Sequence, residues 1–193
     1  MKAVLMSIQP YWVFLIIAKA MGLNIDKEKT IEVRKTFPKD ENWNKVVKMY
    51  CSKDKKSFAK IPKQYQPFMK QFLGKIIGEF VCYSIDEYRR YPLTTFEGTL
   101  CREQYISRDK LKKTCLSIGE INSYLKGRTA YLWHISNLKI YDEPKELSEF
   151  RTECKCGCDF PYLYYRPCKN CNKNRLIRPP QSWCYVERLD DAE

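Results

Sequence analysis

Lys29-Thr30-Ile31-Glu32-Val33-Arg34-Lys35 is the stretch on which the fold turns. Its apolar and polar residues alternate, the period of a β-strand with one face in a core. Ile31 and Val33 point one way, and Thr30, Glu32 and Arg34 the other, with alternate side chains ~7 Å apart. An acceptor flanked by donors suits a base edge or a ribose, because it offers both hydrogen-bond senses. The same pattern also describes a solvated strand face with an exposed Glu–Arg pair, which would contribute little.

Toward the N-terminus, residues 2–8 read as a short strand. Gln9-Pro10 then starts a helix, because proline suits the first helical position. Tyr11 to Met21 is apolar nearly all round, which predicts a buried helix with Gly22 as its C-cap. Toward the C-terminus a turn at 40–43 precedes a strand over 45–52 and a basic loop over 53–60. A helix over 64–73 ends at Gly74, and a strong strand covers 75–84. Residues 87–107 read as a hairpin or long loop. Ser107 caps a short helix, and Ser117 with Glu120 is a capping-box pattern for a helix to Leu125 that Gly127 stops. A long strand over 129–141, a turn or short helix over 144–150 and a closing strand over 181–188 complete the chain. Short strands separated by a few helices predict an α+β domain: a small barrel with flanking helices.

At 193 residues the chain suits a single domain over 1–193. Its 35 Lys and Arg against 23 Asp and Glu give +12, which favours nucleic acid or another polyanion as partner. No apolar run reaches ~18 residues, so a membrane bundle is excluded. Lys2 and the apolar stretch to Ala18-Lys19-Ala20 mimic a signal peptide. Gln9-Pro10 interrupts that stretch and Lys19 occupies the cleavage site, so a cytoplasmic protein is expected.

Ten cysteines fall into two groups. Cys51, Cys82, Cys101 and Cys115 are scattered. Cys154, Cys156, Cys158, Cys168, Cys171 and Cys184 crowd the last forty residues. Cys154-Lys-Cys156-Gly-Cys158, then Cys168-Lys-Asn-Cys171, offers five thiols for four tetrahedral positions, which fits structural zinc in an insertion over 151–176. An iron–sulfur cluster, free thiols or disulfides are the alternatives, and spacing does not say which thiol is spare. The zinc would be a folding staple, with no open position for chemistry.

Four blocks in order carry a family resemblance: Ser7-Ile8-Gln9-Pro10 with Lys29 to Lys35, Gly78-Glu79-Phe80, Tyr131 to Leu138, and Arg178 to Val186. Together they resemble the ASCH domain (activating signal cointegrator homology) of the PUA-like superfold, in the bacterial and phage type with a C-terminal cysteine-rich insert. The resemblance implies a five- or six-stranded barrel-like sheet and a polar cleft that binds RNA or nucleosides. One branch of the family hydrolyses acylated cytidine with a Lys, a Thr and a Glu. Lys29 matches that branch's lysine, but Glu32 stands where its second Thr belongs, and a carboxylate does not replace a hydroxyl nucleophile.

Other residues complete the candidate site. Glu79, in an apolar strand, must be paired or have a raised pKa, so it is either a cleft acceptor or a structural ion-pair partner. His134, the only histidine, shares a face with Leu132, Ser136 and Leu138. Trp133 is a core residue or a base-stacking platform, and Trp183 walls a pocket or packs the end of the barrel. Basic residues keep aromatic company around Lys53 to Lys63, Tyr88 to Tyr91 and Tyr162 to Arg178, which suits single-stranded nucleic acid. The expected ligand residues are therefore Ser7, Lys29, Thr30, Glu32, Arg34, Glu79, His134 and Trp183. The leading expectation is a non-catalytic, regulatory protein that binds RNA by preference, or another nucleic acid or a nucleoside. The alternatives are an amidohydrolase for acylated nucleosides, with Lys29 and Glu79 as acid–base pair, or a protein-interaction factor.

Overall fold

Residues 3–39, 44–89, 106–152 and 175–188 are described by the structure, a computed structural model. Among the described residues, seven strands form a sheet in the order β2-β5-β4-β3-β1-β7-β6, and five α-helices accompany it. The strands are β1 (Ala3–Ile8), β2 (Ile31–Arg34), β3 (Lys45–Cys51), β4 (Ile76–Tyr88), β5 (Ala130–Lys145), β6 (Phe150–Arg151) and β7 (Trp183–Arg188). The helices are α1 (Pro10–Ile17), α2 (Lys55–Phe58), α3 (Gln66–Lys70), α4 (Arg108–Thr114) and α5 (Ile118–Leu125). The α+β class holds. The expected barrel does not close among the described residues, because β2 and β6 end the strand order.

The chain groups into two compact units. The first comprises Met1–Phe14, Val46–Phe80 and Lys139–Glu193, and the second Leu15–Lys45 and Val81–Leu138. In the first, β1 runs parallel to β3 (Val4 opposite Val47, Ile8 opposite Cys51) and antiparallel to β7 (Ala3 opposite Val186). An inner strand with parallel pairing is covered on both faces, and Ala3, Val4, Leu5, Met6 and Ile8 are all buried accordingly. Ala3, Leu5, Tyr50, Ile76, Phe150 and Val186 form one core cluster. In the second unit Ile31 and Val33 of β2 pack with Tyr88, Ile121, Leu125, Ala130 and Leu132, as the alternation of β2 requires. Here β2 runs antiparallel to β5, with Glu32 opposite Trp133.

Helix boundaries differ from the sequence pattern for local reasons. α1 ends at Ile17, and the chain then turns through Gly22, whose φ is +65°. Leu23 N–H donates to Ala18 O and Gly22 N–H to Lys19 O, the paired bonds of a glycine-terminated helix. The stretch expected to be a basic loop contains α2, because Asp54 caps it by accepting from Ser57 N–H at 2.6 Å. The helix expected over 64–73 is a 3₁₀ turn (Lys63–Tyr65) followed by α3. Both Ser107 and Ser117 cap as expected, Ser117 in a reciprocal box with Glu120. β6 was not foreseen. It pairs with β7, and an isolated bridge joins Arg151 to Arg175 while Leu176 N–H donates to Phe150 O. The two ends of the cysteine-rich segment are thereby pinned side by side.

Candidate functional site

In the second unit, β2 delivers its polar residues to a buried charge cluster. Lys29 is only 2% exposed. Its Nζ donates to Ile31 O and to Thr114 O, each at 2.8 Å, and lies 3.3 Å from Glu32 Oε2. The other oxygen of Glu32 meets Arg34 Nη2 at 3.1 Å. Burial pushes the Lys29 pKa below the ordinary lysine value, and the Glu32 carboxylate opposes that shift. Glu32 and Arg34 are themselves buried, so the exposed Glu–Arg pair of the sequence reading is corrected. Thr30 anchors the strand through its backbone, with N–H to Lys113 O and O accepting from Ile135 N–H. Two backbone carbonyls accept from the ammonium and the Glu32 carboxylate pairs with its charge, an arrangement suited to holding β2 beside the end of α4.

His134 sits opposite Ile31 in the β2–β5 ladder. Its Nε2 is 2.7 Å from Asp86 Oδ2 and its Nδ1 is 3.4 Å from the Tyr83 hydroxyl. Asp86 also pairs with Lys110 at 2.7 Å. Burial alone would raise the Asp86 pKa, but the bonds from Lys110 and His134 outweigh it and leave the pKa below the ordinary carboxylate value. Trp133 is fully buried and belongs to the core. Asp86 and Lys110 escaped the sequence reading. The signal available was the polar end of β4, where Ser84 and Asp86 alternate with Ile85.

In the first unit, Ser7 N–H donates to Ser182 O, which places Ser7 beside the start of β7. Trp183 is half-buried, and its ring meets Tyr185 edge-on at 5.7 Å. Glu79 lies elsewhere in this unit and lines a cleft of about 560 Å³ together with Lys48, Lys139, Tyr141, Asp142 and Lys145. Its Oε2 accepts from Lys48 Nζ at 3.0 Å and from the Tyr141 hydroxyl at 2.7 Å. Lys48 Nζ also lies 3.3 Å from the Tyr141 oxygen. Burial would raise the Glu79 pKa, but the Tyr141 and Lys48 bonds prevail and hold it below the ordinary value. Glu79 is ion-paired to Lys48, and it lines a cleft. Lys29 and Glu79 each have their own partners within their own unit.

Glu79 and Asp86 set a pH dependence. Folding lowers both pKa values, so their stabilisation is complete above the unfolded carboxylate value of ~4 and is lost as pH falls through the folded values. Urea midpoints should therefore hold level from neutrality to about pH 5 and then decline. Asp86→Asn should flatten that decline. An identical acid limb in the variant would remove Asp86 from the explanation.

Cys154, Cys156, Cys158, Cys168 and Cys171 lie outside the described residues. Among those described, burial raises the Cys51 thiol to about 12, and those of Cys82 and Cys184 to about 11. Cys51 and Cys82 are buried thiols of low reactivity, and Cys184 is half-buried. No helix among the described residues is long and apolar enough to cross a membrane.

An open, mixed sheet with short flanking helices gives the chain an ASCH-like fold. It is similar to the crystal structure of ASCH from Zymomonas mobilis, with a TM-score of 0.50 and 14% identity over 98% of this chain and 90% of that chain. A serine-to-alanine variant of that protein matches with a TM-score of 0.50 and 12% identity, over 96% of this chain and 88% of that one. At these identities the likeness is one of fold. No protein-family model and no curated protein sequence matches the chain.

Proposed function

We propose that this chain is an ASCH-domain protein that binds nucleic acid, RNA in preference, as a regulatory module without turnover. The observation that carries the reading is the lysine face around α2. Lys53, Lys55, Lys56, Lys60 and Lys63 are all exposed, and the one acid among them, Asp54, is spent on the cap of α2. Clustered ammonium groups without compensating carboxylates bind a phosphate backbone by releasing its counterions. The net charge of +12 adds long-range attraction. The ASCH-like fold supports the same class of ligand. The buried, hydrogen-bonded environment of Lys29 supports binding rather than catalysis, since a general base there would have to break its own hydrogen bonds. Ser7, Glu79 and Trp183 in the first unit, and Thr30, Glu32, Arg34 and His134 in the second, remain the proposed ligand-facing or site-shaping residues of their own units.

The test is anisotropy of a labelled single-stranded RNA across a salt series. The parent should bind with a steep, linear fall of log affinity with log salt. Replacing Lys55, Lys56 and Lys60 together by Ala should weaken binding about tenfold and reduce the slope by roughly 2. Absence of binding at low salt would overturn the reading and direct attention to an acidic protein partner.

Structural zinc, held by four of Cys154, Cys156, Cys158, Cys168 and Cys171, belongs to the same proposal. The residue types suit a closed tetrahedral thiolate site, and metal analysis should find about one equivalent of zinc in gently purified protein. Less than half an equivalent would exclude the staple.

A further inference from the structure

The cleft at Glu79 has unused hydrogen-bonding capacity. Both bonds to the Glu79 carboxylate end on Oε2, and among the described residues none reaches Oε1. Its side chain is 28% exposed, so that oxygen is open to a ligand donor. Lys48 directs two of its three N–H bonds at Glu79 and Tyr141, leaving one for an acceptor. An acceptor and a donor held together in this way match the edge of a nucleobase, where the two senses also stand side by side. The half-buried Tyr141 ring borders the cleft. The volume, about 560 Å³, falls within the usual range for small-ligand sites, ~300–1,000 Å³.

The charges limit what else the ligand carries. Lys48 is neutralised by Glu79, which leaves Lys139 and Lys145 with Asp142 and Glu143 as the other charged residues that line the cleft. Two lysines suit one phosphate, whereas a triphosphate would crowd its negative charge against two carboxylates. From this arrangement, and resting on the nucleic-acid reading above, we infer that the Lys48–Glu79–Tyr141 cleft is a mononucleotide subsite. It takes a nucleoside monophosphate, free or as one residue of a strand, in preference to a nucleoside triphosphate.

Isothermal titration of the full chain with AMP, GMP, CMP, UMP, ATP and inorganic phosphate tests this. At least one monophosphate should bind saturably, and more tightly than ATP or inorganic phosphate. Glu79→Gln should weaken that binding about tenfold or more, because a charge-assisted bond is lost. Tyr141→Phe retains the ring and removes the hydroxyl that steadies Glu79, and should weaken binding by a smaller factor. It also serves if Glu79→Gln fails to fold. Absence of saturable monophosphate binding overturns the inference, as does equal binding of inorganic phosphate or unchanged affinity in both cleft variants. RNA binding without monophosphate binding defeats this inference alone, whereas monophosphate binding without RNA binding defeats the polyanion reading alone.

Discussion

Lys29→Ala will lower the free energy of unfolding by about 3–5 kcal/mol, the usual cost of breaking a buried ion pair by removing one partner. The ammonium is 2% exposed, and its loss strips a donor from Ile31 O and Thr114 O and a cation from Glu32. Arg34 remains beside Glu32, but on the opposite carboxylate oxygen. Urea denaturation of Lys29→Ala and Lys29→Met separates charge from packing. Lys29→Met restores most of the volume and should recover only a minor part of the loss. A loss below about 1 kcal/mol in both variants would mean the cluster is not a keystone of the second unit, and would reopen a functional role for Lys29.

The second large effect is expected at Gly78. A Cβ added there would sit 2.3 Å from Lys139 O and 3.0 Å from Ile140 Cα, both in the neighbouring strand. Backbone cannot swing aside as a lysine tip can, so Gly78→Ala must push β4 and β5 apart locally. Overpacking of this kind costs about 1–3 kcal/mol or more. The displacement is next to Glu79, while Lys139 is two residues from Tyr141, so the 2.7 Å Tyr141–Glu79 bond should lengthen with it. Gly78→Ala should therefore lose stability in urea and lose monophosphate affinity together. A stable variant with parental affinity would show that the close approach is incidental.

These two positions illustrate what the sequence makes legible. The alternation from Thr30 to Arg34 announces β2 and its core face, because period and burial are local properties. It does not announce that the polar face is buried too. That depends on β5 and α4, which the chain reaches about a hundred residues later. Gly22 and the Ser117–Glu120 box could be read directly, since caps are settled within a few residues. The Glu79 cleft could be read only in part. A carboxylate in an apolar strand signals a partner, but Lys48 and Tyr141 stand 93 positions apart and carry no mutual signal. Strand pairing alone makes them neighbours. Asp86 was missed for the same reason: its partners His134 and Lys110 come from another strand and a helix.

The pinned ends of the cysteine-rich segment have an evolutionary consequence. Arg151 and Arg175 form a bridge, and Leu176 is bonded to Phe150, so the residues that flank the cysteine-rich segment lie side by side. For such a detour the closure cost grows only with the logarithm of its length, about 0.6 kcal/mol per doubling. Selection can therefore lengthen, shorten or exchange the detour with little penalty to the strands that frame it. The sheet and its clefts can thereby be inherited unchanged while the sequence between the two pinned ends diverges.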